Sequence, residues 1–214
     1  QILVEHGGYR LAWVGFAGED EARSVRSVAH FGFEDGYLER LHLTWADTER
    51  GRGPTGTAIR TGKPSVAQDI LHDPRFEPWR AEALKRGYTS SLALPLTGQG
   101  RTFGALMIYA AEPNAFDAQE LKLLEELAGD LAFGVMSLRL RAERERQEQA
   151  LLRKEVELRE AQRLAHIGNW YWDAQTDATT GSDELLRIYG LDPATQTMPA
   201  FRDQKGRCYP DEDW

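Results

Sequence analysis

The apolar and polar positions of the first 110 residues alternate in short runs broken by polar, glycine-containing stretches. The opening "ILVE" reads as the tail of a helix stopped by Gly7 and Gly8, as C-terminal glycines commonly do. "YRLAWVGFA" predicts a strand rich in aromatic and β-branched residues, and "ARSVRSVAHFG" its partner, with Val25 and Val28 or Ala29 as core candidates. The polar "GEDE" between them makes a hairpin the economical connection. "GPTGTAIRTG" has the composition of a helix of one or two turns closed by Gly62, and "KPSVAQDI" runs into a strand around Ser65 to Gln68. An Asp-Pro turn in "DPRFEPWRAEALKRG" leads into a helix from about Pro78 to Arg86, with Gly87 as its cap. "TSSLALPLTGQGRTFGALMIYA" carries the strongest strand pair, two apolar runs around a loop whose glycines permit positive φ. The expected architecture is an α/β (α+β) domain with a five-strand antiparallel core and intervening helices.

From Asp117 the pattern changes to one proline-free helical stretch reaching the segment around His166. Asp117 suits the N-cap, with Glu120 at the capping-box position. Leu124, Leu131 and Leu138 are spaced by seven, as are Leu151, Leu158 and Ala165, but the two sets differ in frame by one residue. At 1.5 Å per residue this helix is about 70 Å long, more than one domain covers, so its C-terminal half calls for a partner helix. After Gly168, "NWYWDAQTD" predicts an aromatic strand and "TTGSDELLRIYGLDP" a short strand and helix. These residues are too few for a core of their own and read as the front part of a further domain.

Composition narrows the function. The 214 residues carry 41% hydrophobic and 28% charged side chains and a net charge of -8, with no basic arm, so nucleic acid is not an expected partner. No apolar run of about 18 residues occurs, so no membrane segment is expected, and the N-terminal residues lack a signal-peptide pattern. A lone cysteine, Cys208, fits a reducing, cytoplasmic setting.

The stretch "RGRGPTGTAIRTGKPSVAQDI" poses as a phosphate cradle, but its spacing fails. A P-loop needs glycine where Thr57 stands and a hydroxyl where Pro64 stands, and it follows a strand rather than preceding one. Its glycines are expected at turns and caps. Paired acids such as Glu125 with Glu126, or Asp211 with Glu212, have no partnering His or Cys and read as solvated charge. His166 lacks an acidic neighbour after it, which argues against a phospho-acceptor histidine. Nothing pairs a nucleophile with a base, so an enzyme is not expected.

In this order, "RGPTGTAIRTGKPSVAQDI", "DPRFEPWRAEALKRGYTSSLALPL" and "FGALMIYAAEPNAFDAQELKLLEELAGDLAFGV" closely resemble a GAF domain of the kind found in bacterial multidomain sensors. The likeness covers residues 1–136, with most of the usual N-terminal helix missing, which would leave part of one sheet face uncovered. "EAQRLAHIGNWYWDAQTDATTGSDELLRIYGLDP" resembles the opening of a PAS domain. The implied organisation is a GAF sensory domain at 1–136, a signalling coiled-coil helix at 137–165 and an incomplete PAS fold at 166–214. Such proteins act in signal transduction, including two-component and cyclic-di-GMP systems, through an output domain that these residues do not contain.

The resemblance also implies a pocket between the sheet and the helices, with an unknown small-molecule ligand. It would be lined by Trp13, Asp69, Phe76, Trp79, Tyr88, Ser90, Ser91 and Tyr109. Each aromatic residue there serves equally as ordinary core. Several family ligands are not expected. Bilin attachment and free methionine sulfoxide reduction both need a cysteine in the GAF region, which has none. The cyclic-nucleotide motif is not matched by "PNAFDAQE". Haem needs an axial histidine; His30, His42 and His72 are at hand, but isolated histidines are more often surface or core residues, so it too is not expected. The same resemblance implies a homodimer through the long helix, with Leu124, Leu131, Leu138, Leu151 and Leu158 on its seam. The alternative is a ligand-free GAF scaffold that dimerises and relays a signal.

Overall fold

The computed structural model describes residues 1–206 and 208; Asp211 and Glu212, together with the end of the PAS-like segment, lie outside the described residues. The chain divides into two compact units, Gln1–Leu140 and Arg141–Trp214.

The first unit is built on a five-stranded sheet in the order β2-β1-β5-β4-β3. Its strands are β1 (Leu11–Ala17), β2 (Val25–Gly32), β3 (Ser65–Ala67), β4 (Ser90–Gly98) and β5 (Arg101–Ala110). Every pairing is antiparallel, as the sequence pattern requires. Short helices α1 (Ile2–Glu5), α2 (Tyr37–Arg40), α3 (Pro54–Thr61) and α4 (Arg80–Lys85) connect them. The β4–β5 turn places Gln99 and Gly100 at φ 53° and 75°, the left-handed pair that a tight hairpin needs.

Alternation along the central strands separates two apolar layers. Leu92, Leu94, Leu96, Leu106 and Ile108 face the long helix α5 (Ala118–Ala165), meeting Leu124, Ala128 and Ala132. Leu11, Trp13, Ala93, Met107 and Tyr109 face the opposite layer, under α2, α3, α4 and the 3₁₀ turn Pro74–Trp79. A bulge between Leu96 and Thr97 breaks the alternation. Phe103 thereby joins the α5 side, edge-on to Phe16 at 5.9 Å, and Arg139 stacks on both rings.

Three expectations are corrected. Of the β2 core candidates only Val25 packs inward; Val28 is 41% exposed and Ala29 is exposed, because β2 is an edge strand lying beyond the covering helices. The helix expected from Pro78 starts at Arg80, since Pro74 and Pro78 favour the tighter 3₁₀ turn before it. Asp117 caps α5, its Oδ1 accepting from the Glu120 amide at 2.8 Å. The Glu120 carboxylate, however, takes the Tyr9 hydroxyl, and no bond back to the cap forms. With α1 this short, the α5 side of β1 and β2 keeps an open apolar groove of about 420 Å³, edged by Ile2, Val14, Phe31 and Leu127.

In the second unit α5 continues to Ala165, and His166 leaves it in a left-handed conformation with φ 51°. A hairpin of β6 (Trp170–Trp172) and β7 (Thr179–Gly181) follows, then α6 (Asp183–Ile188), capped by Ser182. Leu185, Leu186 and Met198 form its small core. Among the described residues, no helix is long and apolar enough to cross a membrane.

Candidate functional site

Tyr109 is the centre of the layer opposite α5. In the sheet register it lies between Ser91 on β4 and Leu11 on β1, with Trp13 one step along paired to Met107. Directly opposed residues of this kind hold their Cβ atoms about 5 Å apart, so Ser91, Leu11 and Tyr109 share one surface. From above, Tyr37 meets Tyr109 edge-on at 5.7 Å, Tyr88 tilts against it at 4.8 Å, and Phe76 stands edge-on at 6.4 Å. All are buried.

The polar ends of these side chains are incompletely paired. Among the described residues six buried side-chain polar atoms have no hydrogen-bond partner, and three are in this layer: Trp13 Nε1, the Tyr37 hydroxyl and Ser91 Oγ. Buried polar atoms are nearly always satisfied, and each orphan costs about 1–3 kcal/mol. Burial pushes the Tyr109 phenol up to about 12, against the opposing pull of the Tyr37 hydroxyl and the Trp13 N–H beside it. Those two groups sit close to Tyr109 without completing a hydrogen bond of acceptable distance and angle. Desolvation likewise raises the phenols of Tyr37 and Tyr88.

The roof is fixed by specific contacts. Trp79 donates its Nε1–H to the Leu41 carbonyl at 3.0 Å. Arg86, 3% exposed, donates to the Glu34 carbonyl at 3.0 Å, the Asp35 carbonyl at 2.6 Å and the Glu82 carboxylate at 2.6 Å. Its guanidinium lies 5.3 Å from the Tyr37 ring centre, and the Tyr88 hydroxyl donates to the Phe33 carbonyl. Arg86 and Tyr88 thus clamp the strap Phe33–Gly36 over the tyrosines. Beneath the roof the open space is a crevice of about 10 Å³ reaching Tyr109, Phe76 and Trp79, with Arg50 and Thr55 among its lining residues. That is room for about one water.

The α3 wall explains the glycine-rich stretch. Gly62 ends α3 in the left-handed region at φ 64°, as a cap should. Gly53 and Gly56 have a different role, close approach. A Cβ on Gly53 would lie 2.4 Å from the Trp79 ring, and one on Gly56 2.1 Å from the Gly51 carbonyl oxygen.

Of the residues expected to line a pocket, Trp13, Phe76, Trp79, Tyr88, Ser91 and Tyr109 come together here. Two do not. Ser90 has the opposite strand parity and points to the α5 side, where its Oγ donates to the Glu112 carbonyl at 2.6 Å. Asp69 is turned outward and 43% exposed, accepting from the Leu71 amide at 3.0 Å and from His72 at 2.6 Å. The His72 hydrogen bond holds its carboxyl below the usual range. His30, His42 and His72 are all exposed. Among the described residues, no group of three or more His, Cys, Asp or Glu could hold a metal ion. Sequence reasoning missed Tyr37, on a segment without a periodic pattern, and Arg86, which ends the predicted helix before Gly87 and turns inward only through its tertiary contacts. Met107 could have been found, since it shares strand parity with Tyr109.

On α5, Leu124 is buried against the sheet and Leu131 packs partly on the same cluster, so Leu124 is not available to a partner helix. Leu138, Leu151 and Leu158 are exposed. Arg141–Glu145, Arg144–Glu148 and Glu155–Arg159 ion pairs mark the solvated surface of the same helix.

The comparisons agree with this geometry. The GAF domain signature matches residues 1–136, and the chain belongs to the GAF domain family. Among solved structures, the chain is similar to the GAF domain of a phosphoenolpyruvate-protein phosphotransferase from Coxiella burnetii. That match has 21% identity and a TM-score of 0.54, covering 65% of this chain and 79% of the other. A GAF domain region from Geobacter sulfurreducens PCA matches at 23% identity and a TM-score of 0.52, covering 63% and 86%. The identities are low enough that these likenesses establish the fold alone. No curated protein matches the chain.

Proposed function

We propose that this chain is the sensory and regulatory part of a bacterial signal-transduction protein, binding a small molecule in the layer around Tyr109. One observation carries the reading: among the described residues, three buried polar atoms of this layer, Trp13 Nε1, the Tyr37 hydroxyl and Ser91 Oγ, have no hydrogen-bond partner. A ligand supplying acceptors there would satisfy what the fold leaves open. Chemistry on the ligand is not part of the proposal, because the layer holds aromatic rings and hydroxyls without a base to activate a nucleophile.

The relay would run through α5. Leu138, Leu151 and Leu158, exposed on one chain, would be covered in a parallel homodimer. The one-residue slip between their heptad sets offers two packing registers for ligand state to bias. Beyond it, the β6–β7 hairpin and α6 would open a PAS domain leading to an output domain such as a histidine kinase or a cyclic-di-GMP enzyme. The setting would be cytoplasmic.

A second reading has its own support. The crevice of about 10 Å³ favours a GAF scaffold that dimerises and relays without a ligand. Thermal unfolding across a library of small metabolites separates the two. The sensory reading expects a compound that raises the midpoint of the native chain and loses its effect in Trp13→Phe. The scaffold reading expects no compound to do so. A monomer in sedimentation at micromolar concentration would remove the basis of the relay.

A further inference from the structure

A larger cleft opens where the β4–β5 turn meets the ends of β1 and α3 and the side of α5, and it shares no lining residue with the crevice at Tyr109. Its volume of about 780 Å³ lies within the range of small-molecule sites. Its walls join the apolar side chains of Phe16, Phe103 and Met136 to the turn Gly98–Thr102. The charged residues lining it are Arg60, Arg101, Arg139 and Glu19, three cations to one anion. The whole chain has the opposite balance, 34 acidic side chains to 26 Lys and Arg. A cleft dominated by one sign draws in ions of the other.

The three arginines differ in what they already hold. Arg60 donates through Nη1 to the Trp45, Ala46 and Gly51 carbonyls at 3.2, 3.2 and 2.6 Å. Its charge also pulls on Asp47, which pairs with Arg52 at 2.9 Å outside the cleft. Arg101 pairs with Glu19. Arg139 alone of the three makes no hydrogen bond or ion pair among the described residues. Its guanidinium lies 4.3 Å from the Phe16 ring centre and 4.8 Å from that of Phe103, so the two rings orient it and leave its N–H edge open. Elsewhere on α5, Arg141, Arg144 and Arg159 each pair with a glutamate four residues away, and Glu143 accepts from Gln147 at 3.0 Å. An oriented guanidinium edge is suited to bidentate recognition of a carboxylate or phosphate. We propose that Arg139 seats the oxyanion head of a small organic ligand, a carboxylate or a phosphate monoester, whose apolar body lies in the cleft against Phe103 and Met136. This site does not depend on a ligand at Tyr109.

Three probes with one apolar body test this on the full chain: 2-naphthoate, 2-naphthyl phosphate and the neutral 2-naphthamide. Binding is read from the Arg139 Nε–Hε resonance, assigned through Arg139→Gln, and from the Gly98–Gly100 amides. The expected result is a saturable shift with at least one oxyanion, which identifies the head, and a response to naphthamide at least about tenfold weaker. Arg139→Gln should weaken the oxyanion about tenfold or more. Arg139→Lys, which keeps the charge without the fork, should weaken it about threefold to tenfold. The spectra of both variants also show whether the chain remains folded. Arg141→Gln removes the same charge outside the cleft and should leave the affinity within about twofold. Equal losses in Arg139→Gln and Arg141→Gln would reduce the effect to general charge attraction and overturn the site. Naphthamide binding as well as the oxyanions, or no shift with any probe in the folded chain, would overturn it too.

Discussion

Ser91 stands directly opposite Tyr109 in the β4–β5 pairing, yet its buried hydroxyl has no hydrogen-bond partner among the described residues. Its neighbour Ser90, equally buried on the other face, donates to the Glu112 carbonyl at 2.6 Å. Two adjacent serines of one strand thus have opposite energetic roles. In the unliganded chain Ser90→Ala should lower stability by about 1 kcal/mol, while Ser91→Ala should be neutral or slightly stabilising. Urea midpoints of the two variants check this, and equal losses would mean that Ser91 is paired after all.

Arg86 holds the strap over the tyrosines. Arg86→Met keeps most of the volume but orphans the Glu34 and Asp35 carbonyls. A loss of about 3 kcal/mol is expected, with faster amide exchange confined first to residues 33–37. Exchange that rises uniformly across the sheet would show Arg86 to be a general core residue and not a clamp.

The glycine-rich stretch gives a graded test. Gly53→Ala drives a methyl into the Trp79 ring and should cost about 1–3 kcal/mol with a change in tryptophan emission. Gly62→Ala leaves the ring alone and should cost about 1 kcal/mol through its positive φ. Emission that responds to both, or to neither, would contradict the separation of close approach from capping.

The tyrosine layer has a pH signature. Burial raises the phenol of Tyr109 to about 12, and those of Tyr37 and Tyr88 also rise. In the unfolded chain tyrosines ionise near about 10. The native state therefore keeps protons that the unfolded state releases, and this part of the stability is complete below about pH 10 and lost as pH climbs toward about 12. Urea midpoints should fall across that window, with phenolate absorbance completing only on unfolding. Full phenolate absorbance near pH 10 in the folded chain would refute the burial.

On the long helix, Leu124→Ala should destabilise the GAF domain by about 2–5 kcal/mol, because the side chain fills the sheet–helix core. Leu151→Asp should leave that domain's unfolding unchanged and shift sedimentation toward the monomer. A monomeric native chain would show that the exposed leucines have another role.

Much of the fold was legible because alternation and turn chemistry agree along β1, β4 and β5, where apolar runs end at glycine-bearing loops. The heptad spacing of Leu124 and Leu131 was visible too, but spacing alone does not say whether a helix face meets a sheet or another helix. Strand parity separates Ser90 from Ser91, yet a buried strand carries small residues on both faces and blurs it. Asp69 illustrates a different limit: a short acid just after a strand satisfies its own turn as readily as a pocket. Tyr37 lies on an aperiodic segment and Arg86 at a helix end, and tertiary contacts alone bring them to the site.

The most direct test of the ligand site is a crystal structure of the chain purified without denaturation, viewed among Trp13, Tyr37, Ser91 and Tyr109. The account predicts non-protein density there, with a polar atom within hydrogen-bonding distance of at least one of Trp13 Nε1, the Tyr37 hydroxyl and Ser91 Oγ. Side chains that close their hydrogen bonds on one another, with no density between them, would contradict it.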